Sequence, residues 1–280
     1  MDSLVSTEWL AGELGASDLA IVDASKFLDG TGRDARAEYE AEHIPGAVFL
    51  DLGELADKTP GLPHKLPPSH KFASRMQSLG IRDGQRIVIY DNSPLHSAAR
   101  AWWLFRTFGA HYIAILDGGL AKWKAEGRPT ESGRPQVRHG HFTPLFDEAA
   151  VADKQIVSGL VGSSDTVLVD ARSESRFRGE EEDPRAGLAS GHIPGSRNLP
   201  QTALFNPDGT WKQGDALRSA FDAAGVDLSK PMVTTCGSGV TAAVLLFGAH
   251  LLGKTDVRLY DGSWSEWGAD PDTPKATGAA

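Results

Sequence analysis

Pro231-Met232-Val233-Thr234-Thr235-Cys236-Gly237-Ser238-Gly239-Val240-Thr241 leads from a β-branched stretch, through a cysteine set among glycines, into a segment (residues 240–252) that is apolar almost all round. A short apolar run bounded by turn residues is the pattern of a strand buried on both faces, and an all-round apolar helix must also be buried. Strand, tight loop and buried helix together describe one unit of an α/β fold on a parallel sheet. In such sheets ligands bind beyond the carboxyl ends of the strands, where loops enter helices. Cys236 occupies that place.

Outward from this stretch the chain repeats itself. Leu168-Val169-Asp170-Ala171-Arg172 echoes Ile21-Val22-Asp23-Ala24-Ser25, and His192-Ile193-Pro194-Gly195-Ser196 echoes His43-Ile44-Pro45-Gly46-Ala47. Tyr260-Asp261-Gly262-Ser263 with Trp267 echoes Leu116-Asp117-Gly118-Gly119 with Trp123. Three matches in the same order at nearly constant spacing make two similar halves. Phe108-Gly109-Ala110-His111 also reappears, as Phe247-Gly248-Ala249-His250, but out of register, and is read as coincidence. In register, the strand over residues 86–90 pairs with that over 231–235, so Asp91 stands where Cys236 stands. Further helices are expected at residues 7–14, 98–108 and 217–224, and Ser263-Trp264-Ser265-Glu266 has the spacing of a capping box. The polar stretch between the halves reads as a linker.

Composition excludes several classes of function. With 28 Lys plus Arg against 37 Asp plus Glu, the net charge of -9 includes no basic block fit for a run of phosphates. Neither a nucleic acid nor an anionic membrane is an expected partner. The single cysteine rules out a disulfide framework or a zinc knuckle. The acidic, polar N-terminal residues and the absence of a long apolar run point to a cytoplasmic protein.

Any sulfur chemistry therefore falls to Cys236. An unperturbed thiol is only about 3% ionised at neutral pH. Gly237 and Gly239 allow positive φ, so successive amides can turn toward the sulfur, and the following helix start adds positive potential; both favour thiolate. Ser238 places a hydroxyl two residues away. Arg176 and Arg185, with Arg178 as a third member, form a basic set in an otherwise acidic stretch.

These motifs in this order resemble the tandem-domain rhodanese family of sulfurtransferases over essentially the whole chain. The resemblance implies an α/β fold of two rhodanese-like domains, each a mostly parallel sheet flanked by helices, with the active site in the interdomain cleft. Residues 1–130 would be the catalytically inactive companion, 131–147 the linker and 148–280 the catalytic domain. Family members that use thiosulfate carry Arg and Lys just after the cysteine. Here Gly237 and Ser238 offer no such charge, which implies 3-mercaptopyruvate as donor, with thiosulfate as the alternative.

By the same resemblance Cys236 carries a persulfide, while Arg176 and Arg185 clamp the donor carboxylate and carbonyl bidentately. Gly237, Gly239, Val240 and Thr241 line the sulfur. Ser238 and His64 belong to a proton relay whose acid would fall at Gly53, leaving Glu54 or Asp51 to substitute. His43 and His192 brace their turns. The acceptor would be a thiol such as thioredoxin, or cyanide, and neither a metal nor an organic cofactor is implied. A sulfur-carrying or partner-docking module without catalysis is the non-enzyme alternative.

Overall fold

The computed structural model describes residues 1–28 and 30–279. They divide into two compact units. The first comprises Met1–Asp57, Leu66–Asp147 and Asn206–Thr210; the second comprises Lys58–Lys65, Glu148–Phe205 and Trp211–Ala280.

The first unit contains β1 (Leu4–Val5), α1 (Thr7–Glu13), β2 (Leu19–Asp23), α2 (Ala35–Ala41), β3 (Ala47–Phe49) and α3 (Leu52–Leu55). It continues with α4 (Ser69–Ser78), β4 (Arg86–Tyr90), α5 (Ala98–Thr107), β5 (Ile113–Leu116) and α6 (Gly119–Ala125). Its sheet runs β1-β5-β4-β2-β3 with every described pairing parallel. The second unit contains β6 (Val151–Ala152), α7 (Lys154–Leu160), β7 (Val167–Asp170), α8 (Glu174–Arg178), β8 (Arg197–Asn198) and α9 (Gly214–Ala223). It ends with β9 (Met232–Thr235), α10 (Ala242–Leu251), β10 (Val257–Tyr260) and α11 (Ser263–Trp267). Its order, β6-β10-β9-β7-β8, is the same topology again, also parallel.

The register explains the repeat. Asp23 pairs with Tyr90 across β2 and β4, and Asp170 with Thr235 across β7 and β9. Each Asp therefore ends its strand beside the last residue before Asp91 or Cys236. The helix ends are written in local chemistry: Ser6 Oγ accepts from the Trp9 amide at 3.1 Å to start α1, and Asp153 Oδ1 from the Ile156 amide at 2.8 Å to start α7. Helix α10 is buried from Ala242 to Ala249, as its composition requires. Burial of Val244, Leu245, Leu246 and Phe247 contributes about 1.5–3 kcal/mol each, which outweighs any weakness of local propensity.

The stretch 131–147, read as a linker, groups with the first unit: Glu131 bridges to His43, and Phe142 is buried against Phe72 and Phe105. One sequence expectation fails here. Ser263 and Glu266 form no capping box, and no side chain caps α11. Ser263 Oγ instead donates to the Tyr260 carbonyl at 2.8 Å, while Glu266 accepts from the Tyr260 hydroxyl at 2.8 Å. Among the described residues no helix is long and apolar enough to cross a membrane.

Candidate active site

Strand β9 delivers Cys236 to the carboxyl edge of the second sheet, and the loop 236–241 returns the chain into α10. Cys236 is 2% exposed, yet its sulfur is not surrounded only by hydrocarbon. The Gly239 amide donates to Sγ at 3.1 Å, and Ser263 Oγ lies 4.0 Å away. The Gly239 turn is left-handed, with φ 86°, a conformation that strongly favours glycine. Gly237 is not in that region, so the expectation that both glycines supply positive φ holds for one only.

What Gly237 supplies is room. A Cβ built there would stand 2.9 Å from Arg185 Nη2 and 3.4 Å from Arg176 Nη2. The two guanidiniums thus close over the residue next to the cysteine. Val240 and Thr241 lead directly into α10, and Val240 is buried.

Arg176 lies on α8, whose position the His-Ile-Pro-Gly turn sets. His192 Nδ1 donates to the Phe177 carbonyl at 2.8 Å, and its ring stacks on Phe177 at 3.7 Å between centroids. His43 braces its own turn in the first unit in the same way, through the Tyr39 carbonyl at 2.7 Å. Arg178, on the same helix as Arg176, points elsewhere, pairing with Glu174 and Glu180 at 38% side-chain exposure. The third member of the basic set does not join the site.

Asp183 holds the two arginines together, and its role was not visible in the sequence. Its carboxylate accepts from Arg185 Nε and Nη2 at 2.8 and 2.9 Å and from Arg176 Nη2 at 2.5 Å. Burial pushes its pKa upward, but the hydrogen bonds from Arg185 and Arg176 prevail and hold it down at about 2. Arg185 therefore spends its bidentate edge on Asp183. The bidentate clamp on a donor expected for this residue is not available in this arrangement. The Arg176 Nε is buried without a partner. The signal for Asp183 was its place two residues before Arg185, hidden among three glutamates.

His64 sits on the Lys58–Lys65 segment that clusters with the second unit, and its Nδ1 meets Ser238 Oγ at 2.9 Å. The acids suggested for a relay are engaged within the first unit. Glu54 pairs with Arg75 at 2.5 Å and Arg36 at 3.5 Å, while Asp51 caps α3 through the Glu54 amide at 2.9 Å.

The corresponding loop of the first unit is built around an acid. Asp91 accepts from the Ser93 amide at 3.1 Å and the Ala98 amide at 2.6 Å. Burial raises its carboxyl to about 6. Beside it Gly119 is left-handed, and a Cβ there would meet the Asp91 carbonyl oxygen at 2.3 Å. In the second unit Ser263 takes that place at φ 49°, its hydroxyl accepting from the Cys236 amide at 3.3 Å.

Two parallel sheets of one topology, with a cysteine loop in the second and an aspartate loop in the first, define a tandem rhodanese architecture, and the chain belongs to the rhodanese family. A Rhodanese-like domain model matches residues 6–126 and again 153–270. The chain is 43% identical over 271 residues to the 3-mercaptopyruvate sulfurtransferase of Homo sapiens, covering 95% of this chain and 91% of that protein. It is 41% identical over 286 residues to the thiosulfate sulfurtransferase of Cricetulus griseus, covering 99% and 96%. The crystal structure of Escherichia coli SseA, described as a 3-mercaptopyruvate sulfotransferase with the rhodanese fold, superposes with a TM-score of 0.87 at 38% identity, covering 94% of this chain and 99% of that one.

Proposed function

We propose that the protein is a sulfurtransferase that takes the thiol sulfur of 3-mercaptopyruvate onto Cys236 as a persulfide and passes that sulfane sulfur to a thiol or to cyanide. The observation that carries this reading is the convergence of Arg185 and Arg176 over Gly237, beside the sulfur, with no cation in the loop itself. A donor with one carboxylate can be held by that pair. A dianionic thiosulfate would gain from charges at residues 237 and 238, which are glycine and serine.

In the first half-reaction the Cys236 thiolate attacks the thiol sulfur of the donor. The new S–S bond forms as the S–C bond breaks, and the electron pair leaves with carbon as the enolate of pyruvate. The proton carried on the transferred sulfur balances the protonation of the enolate carbon. Ser238, hydrogen-bonded to His64 at 2.9 Å, supports a relay for that transfer. In the second half-reaction an acceptor nucleophile takes the outer sulfur and returns the Cys236 thiolate. Thioredoxin suits as acceptor because its thiol can reduce a persulfide, releasing sulfide. A cytoplasmic location completes the reading.

The test compares 3-mercaptopyruvate and thiosulfate at equal concentration, with intact-mass measurement after donor treatment. The expected result is pyruvate release with a clear preference for 3-mercaptopyruvate, and an adduct of about 32 Da, one sulfur atom, on Cys236. In Cys236→Ser both vanish. Turnover retained in that variant, or equal use of both donors, overturns the proposal. A carrier without catalysis would take up sulfur at Cys236 and release none to a thiol.

A further inference from the structure

The guanidinium of Arg185 is almost fully consumed by the protein. Nε and Nη2 each donate to Asp183. Nη1 donates to the Gly237 carbonyl at 2.7 Å and also to the hydroxyl of Ser265. Counted against the donor inventory of arginine, a single N–H remains, on Nη2. That nitrogen is the atom 2.9 Å from the point above Gly237 where a Cβ would lie, and Arg176 Nη2 is 3.4 Å from the same point. The two Nη2 atoms therefore lie side by side against Gly237, where one anionic oxygen beyond them can accept from both.

Ser265 decides where that remaining N–H points. It lies on α11 and is 3% exposed. Its amide and hydroxyl both donate to the Gly237 carbonyl at 2.9 Å, while its oxygen receives Arg185 Nη1. Asp183 grips one edge of the guanidinium, and the Gly237 carbonyl takes only one hydrogen of the opposite nitrogen. The Ser265 hydroxyl takes the other hydrogen of that nitrogen and, by donating to the same Gly237 carbonyl, locks the plane of the guanidinium beside Cys236.

We infer that Ser265 is a positioning residue for the sulfur donor: it fixes Arg185 so that one N–H from each arginine meets a carboxylate oxygen over Gly237. The ligand class is a 2-oxo acid bearing a thiol, and the inference rests on the reading of Cys236 as the sulfur acceptor. Ser265 does not touch the reacting atoms. Its effect is confined to loading, because discharge of the persulfide to a thiol needs no carboxylate.

The experiment uses the full chain with Ser265→Ala. The KM for 3-mercaptopyruvate rises about tenfold, as expected for about 1.4 kcal/mol of lost binding, with kcat at saturation unchanged. Inhibition by pyruvate, which keeps the carboxylate and lacks the sulfur, weakens by a similar factor. Discharge to a thiol of Cys236 persulfide preloaded from inorganic polysulfide keeps its wild-type rate. An unchanged KM, or an equal fall in loading and discharge, overturns the inference. Failure of the underlying reading looks different: wild-type protein treated with 3-mercaptopyruvate then carries no added sulfur on Cys236.

Discussion

Replacing Gly237 with alanine is the sharpest probe of the arginine pair. Gly237 lies outside the left-handed region, so the new methyl brings no backbone strain. It does bring a carbon 2.9 Å from Arg185 Nη2, where ordinary van der Waals separation is about 3.5 Å or more. Arg185 must withdraw by several tenths of an ångström. It cannot do so without stretching its 2.7 Å bond to the Gly237 carbonyl or its 2.8 and 2.9 Å bonds to Asp183. Loss of one hydrogen bond to a charged group is worth about 1.5–3 kcal/mol, roughly a 10- to 150-fold rise in KM. The assay is pyruvate release against 3-mercaptopyruvate concentration, with discharge of preloaded persulfide measured separately. Loading suffers while discharge stays near the wild-type rate. A KM within about threefold of wild type would refute the reasoning, since a Cβ at 2.9 Å must displace the guanidinium that meets the donor.

Asp183→Asn leaves two guanidiniums facing each other without their carboxylate. Asp183 is almost fully buried, and its pKa of about 2 lies below the ordinary 3.8, so its contribution to stability is of the order of 2 kcal/mol. That contribution is fully present above pH 3.8 and is lost as the pH falls through about 2; thermal unfolding at neutral pH therefore shows a lowered midpoint, with a smaller difference near pH 3. In the first unit the sign is opposite. Burial raises Asp23 to about 6, above its ordinary 3.8, so ionising it in the fold costs about 3 kcal/mol above pH 6 and nothing well below pH 3.8. Asp23→Asn keeps an oxygen for the Ser25 amide, at 2.8 Å in the parent protein, and gains stability over wild type at pH 8 by more than at pH 4.5. Equal gains at both pH values in denaturant titrations would count against that account.

The architecture was readable because its repeat is carried by short-range signals. A strand ending in Asp, a His-Ile-Pro-Gly turn and a glycine-flanked cysteine each constrain the backbone locally, and the sheet orders agree with their spacing. The misreadings share one cause, which is tertiary contact overriding a local pattern. Ser263 and Glu266 have capping spacing, yet both side chains are drawn to Tyr260. Gly237 looked like a turn glycine, yet its lack of a side chain admits guanidiniums from residues 176 and 185. Arg185 was assigned whole to a donor because nothing local reveals that Asp183, Gly237 and Ser265 would claim most of its hydrogens. The contact between His64 and Ser238, 174 residues apart, was suggested by family resemblance alone.

The two loops at matching strand ends differ in what occupies them. In the first, the carboxylate of Asp91 is tethered to its own backbone and satisfied by the Ser93 and Ala98 amides. It is a fixed occupant, held by amides of the loop that follows it. In the second, the tenant is a sulfur that can be made one atom longer and then shorter again. One topology used twice thus presents a fixed carboxylate at one strand end and, on the proposed reading, a sulfur that lengthens and shortens at the other.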